Sequence, residues 1–160
     1  MTGSIFSAYS DVIEGCGIVY GPDAIKTILP HREPMLLVEK MWLDEDGTGH
    51  SEYTVKDDDF FVRGYAPDNK TVPFNILCEI MAQGCAIVVK DKLAQGYMPL
   101  FAGIEHIEFI NPVKAGDLCE CEGRIIGERA GIYIAETTLT VGEKICCAGQ
   151  IMLALVPAAN

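Results

Sequence analysis

Positive charge is scarce in this chain: 12 Lys and Arg stand against 23 Asp and Glu in 160 residues, a formal net charge of −11. A phosphate backbone or an anionic membrane surface needs a positive face, so neither nucleic acid nor membrane is an expected partner. Metal-ligating patterns are missing too. The three histidines, His31, His50 and His106, lie in separate segments, and no Cys-x-x-Cys pair occurs among the seven cysteines, so no metal site is expected. An odd cysteine count, with Cys119 and Cys121 spaced to share one face of a strand, points to buried reduced thiols and not to a disulfide framework. No apolar run approaches the ~20 residues that span a bilayer, and residues 1–10 carry no basic residue ahead of an apolar stretch. The expected location is the cytoplasm.

What the chain has in quantity is apolar residues. At 49% apolar and a mean hydropathy of +0.22, residues 1–160 suit one domain with a single core, or half of a dimer that completes its core between subunits. Residues 1–22 read as an N-terminal extension and 157–160 as a short tail. Gly21-Pro22-Asp23 introduces one or two helical turns over 24–29, which Pro30 stops. Two strand-like runs, 35–44 and 48–56, are joined across the turn residues Asp44-Glu45-Asp46-Gly47. A long helix is expected over 73–94, with Pro73 at its start. Four further runs, 100–111, 117–128, 131–141 and 144–156, are rich in Ile, Val, Thr, Cys and aromatics and are separated by turns. The helix is apolar nearly all round and needs cover on most sides. The expected class is α+β, a curved antiparallel sheet of about six strands wrapped around one long central helix, the hot-dog arrangement.

Glu79 stands out within that helix because its neighbours, from Ile76 to Val89, are otherwise almost free of charge. Burial disfavours the charged form of a carboxyl group, so the pKa is expected to rise and Glu79 becomes a general-acid candidate; the alternative is a glutamate at the wet edge of a half-buried helix. Glu79, Gln83, Ala86 and Lys90 fall on one stripe at i, i+4, i+7 and i+11, the natural wall of a ligand cavity, while Ile76, Ile80 and Ile87 line another face that packs on the sheet. Gln83 either borders bound substrate or is hydrogen-bonded to a neighbouring strand.

Three segments, in order, resemble the beta-hydroxyacyl-acyl carrier protein dehydratases of fatty-acid synthesis. Leu29-Pro30-His31-Arg32-Glu33-Pro34-Met35-Leu36-Leu37-Val38-Glu39 is similar to that family's Leu-Pro-His-Arg-x-Pro-x-Leu-Leu-Val-Asp opening. Glu79-Ile80-Met81-Ala82-Gln83 is similar to its Glu-Ala-Met-Ala-Gln helix motif. Phe101-Ala102-Gly103-Ile104-Glu105, with Pro112-Val113 and Gly116-Asp117 beyond it, resembles its Phe-Ala-Gly-Ile-Asp strand and Pro-Val-x-x-Gly-Asp turn. The chain departs from the pattern twice. Gly64-Tyr65-Ala66-Pro67 stands where the family has Gly-His-Phe-Pro with its basic histidine, and Pro73 is followed by Phe74 and Asn75 where the family has a glycine whose amide polarises the thioester carbonyl. In this the chain is closer in character to the divergent dehydratases of aryl-polyene and related polyketide pathways.

The resemblance implies a lyase that dehydrates a 3-hydroxyacyl thioester, with acyl carrier protein or coenzyme A as thiol and no cofactor beyond the 4'-phosphopantetheine of the substrate. Glu79 is the implied acid, and the amide at Phe74, with Asn75 and Gln83 beside it, the contact to the acyl group; the base is His31 or Tyr65, although the resemblance puts His31 near the substrate tunnel and not at the proton-transfer position, and His31 alternatively orders the Pro30–Pro34 bend. A tyrosine needs strong activation to act as a base at neutral pH, whereas an imidazole does not. Two rivals stay open. One is a hot-dog acyl thioesterase, in which the helix carboxylate activates water; the other is a noncatalytic acyl-binding subunit of a dehydratase heterodimer. The resemblance also implies a dimer, either of identical chains or with a related hot-dog subunit.

Overall fold

The computed structural model describes residues 10–13 and 17–158. Its eight strands are β1 (Ser10–Ile13), β2 (Gly17–Tyr20), β3 (Lys40–Leu43), β4 (Gly49–Thr54), β5 (Tyr97–Phe109), β6 (Leu118–Arg129), β7 (Ile132–Val141) and β8 (Lys144–Pro157). They form one sheet in the order β1-β2-β3-β4-β6-β7-β8-β5, and every pairing is antiparallel. The helices are α1 (Pro22–Ile28), α2 (Phe60–Gly64), α3 (Phe74–Cys85) and α4 (Lys90–Ala94).

The α+β class and the sheet wrapped on a central helix are as expected, and the strand count among the described residues is eight instead of about six. Both added strands come from the segment read as an extension: β1 and β2 pair with each other, and Tyr20 opposite Met41 joins them to β3. The remainder of that segment, residues 1–9 and 14–16, lies outside the described residues, as do 159 and 160. The expected tail begins inside the fold, since Pro157 ends β8 and the Ala158 amide donates to Gly96 O at 2.8 Å. The strand expected from residue 35 begins only at Lys40; Leu36, Leu37 and Val38 are buried in a loop. Gly142 at the β7–β8 turn has φ 58, a left-handed conformation that a residue without Cβ adopts freely.

Helix α3 packs on β4, β6, β7 and β8. Leu77, Ile80 and Met81 are fully buried in a cluster with Val55, Cys119, Leu139 and Cys147. Two glycines let helix and sheet approach this closely. A Cβ on Gly84 would collide with Ser51 Oγ of β4, and one on Gly123 of β6 would collide with Cys85 Sγ of α3. The helix expected over 73–94 is not uniform, because Ala86–Val89 tightens into a 3-10 turn before α4. Its Ile87-Val88-Val89 run is β-branched and crowds the preceding turn. Ile76 and Ile80 do pack with the sheet residues, but Ile87 joins a second cluster with Ile25 and Ile28 of α1 and Met41 of β3. No helix among the described residues is long and apolar enough to cross a membrane.

The contact at Gly84 generates a stability test. Alanine has the higher helix propensity by about 1 kcal/mol, yet Gly84→Ala is expected to destabilise the protein by about 1–3 kcal/mol through overpacking against Ser51. Urea unfolding of Gly84→Ala, Ser51→Gly and the double variant checks this: the double variant is more stable than the sum of the single effects allows.

Candidate active site

The loop between α1 and β3 carries His31 and is held through its main chain. The Arg32 guanidinium donates to three carbonyls, Lys26 O at 3.1 Å, Leu29 O at 3.0 Å and His31 O at 2.6 Å. The Arg32 carbonyl in turn accepts from the Met35 and Leu36 amides at 2.8 and 3.0 Å. This folds residues 29–38 against α3 and brings His31 Nε2 to 3.3 Å from Glu79 Oε1. Both side chains are partly exposed, 30% for His31 and 22% for Glu79. Glu79 Oε1 also accepts from Gln83 Nε2 at 2.8 Å. Gln83 Nε2 donates to Met35 O at 2.8 Å, and Gln83 Oε1 accepts from the Leu37 amide at 2.9 Å.

His31 and Glu79 open into a cavity of about 170 Å³ whose other walls are Leu29 and Pro30 of the loop, Ala82 and Ala86 beyond Glu79 on the helix side, Leu100 and Phe101 of β5 and Leu153 of β8. Of the stripe read from the helix spacing, Glu79, Gln83 and Ala86 line this cavity and Lys90 does not. The lining is apolar apart from His31, Glu79 and Gln83, and an apolar slot with two convergent titratable groups suits a small acyl group bearing one reactive polar centre.

The proton affinity of Glu79 runs opposite to the expectation. The hydrogen bond from His31 holds its carboxyl below the usual carboxylate value of 4.5; burial pulls upward and is outweighed, with the Gln83 amide adding to the lowering. A carboxylate at neutral pH cannot by itself be the resting proton donor. Of the two readings open for Gln83, the side chain does border the cavity, and its amide is engaged by Glu79 and two backbone groups of the 35–37 loop instead of a strand.

The remaining candidates lie elsewhere within the chain. Tyr65 caps the C-terminal end of α2, is 48% exposed and does not line the cavity. Phe74 is 53% exposed and stacks on Phe109 at 4.4 Å, and Asn75 beside it is exposed. The first helical hydrogen bonds of α3 run from the Ile76 and Leu77 amides to Pro73 O. The Phe74 amide therefore sits at the helix entrance, about 7.5 Å along the axis from Glu79 at the usual helical rise, outside the cavity. His50 pairs with Asp44 at 2.7 Å and stacks on Trp42, while His106 faces Glu108 on the surface. The six described cysteines are free and buried. Burial pushes the Cys119 and Cys147 thiols up to about 12 and Cys85 to about 11, so these are not nucleophiles at neutral pH. No cluster of three or more His, Cys, Asp or Glu able to hold a metal occurs among the described residues. Sequence reasoning missed Arg32 as the clip of the loop and Leu100 and Leu153 as cavity walls. Arg32 sat inside the Pro-His-Arg run, and an arginine directly after a candidate histidine was the available signal.

Comparison with known proteins places this chain in a family. The ApeP-like family, described as ApeP dehydratase, matches residues 23–99. A 3-hydroxyacyl-[acyl-carrier-protein] dehydratase FabZ of Clostridium perfringens is 37% identical over 132 residues, covering 82% of this chain and 95% of that protein. The FabZ of Caldicellulosiruptor bescii is 32% identical over 142 residues, covering 86% and 99%. Among solved structures, the dehydratase heterocomplex ApeI:P of Xenorhabdus doucetiae shares the fold with a TM-score of 0.67 at 16% identity, over 85% of this chain and 91% of that one. The two FabZ proteins span nearly the whole of their length along this chain, and with that extent of identity the chain belongs to the beta-hydroxyacyl-acyl carrier protein dehydratase family of hot-dog proteins.

Proposed function

We propose that this protein is a hydro-lyase that dehydrates a 3-hydroxyacyl thioester of acyl carrier protein or coenzyme A in fatty-acid or polyketide-type synthesis, and that His31 and Glu79 carry the proton transfer. The observation that carries this reading is the histidine–carboxylate pair at 3.3 Å opening into an apolar cavity. The His31–Glu79 pair takes the proton from the carbon alpha to the thioester, the electron pair forms the double bond to the beta carbon, and the hydroxyl leaves with that proton as water. Glu79, held as a carboxylate, meets His31 at Nε2 while Nδ1 is buried, so the proton taken up lies between Glu79 and Nε2. This gives Glu79 the part of a resting carboxylate in place of the resting acid expected from the sequence. Tyr65 and the Phe74 amide receive no part in this chain's own cavity.

The reading includes a second hot-dog subunit, identical or related, and a cytoplasmic site of action, with which the buried free thiols accord. The long strand β5 is an edge of the sheet, and Leu100, Phe101, Ile104 and Phe109 on it are each about 40–50% exposed. A long apolar edge is a template for pairing with another chain. Leu100 and Phe101 also wall the cavity, so a chain added along β5 would close the site from water.

Turnover of 3-hydroxyacyl-acyl carrier protein to the enoyl product tests the proposal. His31→Ala is expected to lower the elimination rate by ~100 to 10,000-fold, with Tyr65→Phe mild by comparison. Release of free thiol without enoyl product would favour the thioesterase, with Glu79 activating water. Activity that appears only on mixing with a related hot-dog protein, and that survives His31→Ala, would make this chain the noncatalytic partner. Glu79→Gln is expected to keep the fold and lose turnover. It also removes one source of acid sensitivity: a carboxyl whose folded pKa is depressed contributes stability above its ordinary 4.5, and that contribution disappears as pH falls through the folded value. The unfolding midpoint of Glu79→Gln therefore falls less steeply than that of the unaltered protein below about pH 4.5.

Sedimentation tests the second subunit. The protein is expected to sediment as a dimer or larger at micromolar concentration, and Ile104→Lys, which puts a charge on the β5 edge, to shift it toward monomer. A stable monomer before the substitution removes this part of the reading.

A further inference from the structure

We propose that Leu29 limits the length of the acyl group, because it stands as the wall between the His31–Glu79 cavity and a second cavity behind it; the proposal rests on the reading of the first cavity as the acyl site. Exposure tells the mouth of that cavity from its closed end. Leu100 and Phe101 are 41% and 39% exposed, whereas Leu29, Ala82, Ala86 and Leu153 are buried. The thiol arm of a carrier enters where solvent reaches, so the acyl tail points toward Leu29, Ala86 and Leu153. A chain added along β5 would meet the mouth and not this end.

The second cavity, of about 270 Å³, is lined by Ile28, Leu93, Tyr97 and Met98, with Lys26 and Arg32 as its charged groups. It shares Leu29 and Pro30 with the first. Leu29 belongs to a buried cluster with Ala86, which lines the first cavity, and Ile28, which lines the second, and Leu93 packs against the same cluster. Its main chain is pinned from both sides: the Leu29 amide donates to Ile25 O at 2.8 Å, and the Leu29 carbonyl accepts from Arg32 Nη1 at 3.0 Å. A close-packed side chain on a main chain so held yields little to a substrate tail. Volume then sets the length. At about 30 Å³ for each group the size of a water, a cavity of about 170 Å³ holds roughly six non-hydrogen atoms, the oxygens of the acyl group included. The substrate class that fits is a short 3-hydroxyacyl group of about four to six carbons, and a longer tail would need the space behind Leu29.

Saturated acyl groups of increasing length, joined to pantetheine through an amide in place of the thioester, cannot eliminate, and calorimetric titration with this series reads binding alone. For the unaltered protein the dissociation constant is expected to fall about fourfold with each added methylene and to stop falling near about six carbons. In Leu29→Ala the two cavities join and the fall continues for several carbons more. Adding Met98→Trp to Leu29→Ala fills the second cavity and returns the break to its first position. Leu29→Val trims less bulk, is available if Leu29→Ala does not fold, and moves the break in the same direction by a smaller step. Affinity that keeps rising through the longest acyl group in the unaltered protein overturns the proposal, as does failure to bind any of the series. So does a folded Leu29 variant whose break stays where it was. Failure of the unaltered protein to form enoyl product from any 3-hydroxyacyl thioester removes the dehydratase reading instead, and leaves the break in the binding series standing on its own.

Discussion

The fold turns on how closely a nearly all-apolar helix can be seated in a curved sheet. Helix α3 buries Leu77, Ile80 and Met81 completely, and at Gly84 and Gly123 the two layers approach to where no Cβ fits. A helix gripped this tightly cannot rotate or slide, so the direction in which Glu79 projects is settled by packing on the opposite side of the helix. A seam is left open between the 29–38 loop and strands β5 and β8, and both of the polar side chains in the middle of α3 lie along it.

Charge is managed in that seam by pairing and not by solvent. The chain as a whole is strongly acidic, yet at the site a carboxylate is favoured because two donors converge on one of its oxygens. Desolvation acts on Glu79 in the opposite sense and loses. The outcome follows from hydrogen-bond geometry at contact distance, where a partly buried pair is screened less than the surface charges around it.

Long, strongly patterned elements were legible without coordinates: the four C-terminal runs correspond to β5–β8 with ends displaced by a few residues, and the helix around Glu79 is where the spacing put it. The short elements β1, β2 and α2 were not. Strands β1 and β2 are four residues each, and α2 is five, too brief for a period to show. The Leu36-Leu37-Val38 run has the composition of a strand, but the Leu37 amide is taken by the Gln83 side chain, so it cannot join a ladder. For Glu79 the apolar surroundings announced that a partner was needed. They could not show that the partner was His31, because desolvation is written in the neighbouring residues and a hydrogen bond from a distant loop is not. Tyr65 and Phe74 were singled out by alignment of motifs, and the chain places them away from the cavity.

The loop bearing His31 is recognised through its backbone. Arg32 contacts carbonyls alone, and Gln83 reads residues 35 and 37 by a carbonyl and an amide. Glu33 and Met35 are exposed, and neither contributes a side chain to these contacts. Sequence drift at those two positions would therefore leave the histidine where it is, so chains that look unlike one another along this stretch can share the same site, whereas Arg32 and Gln83 have no such latitude.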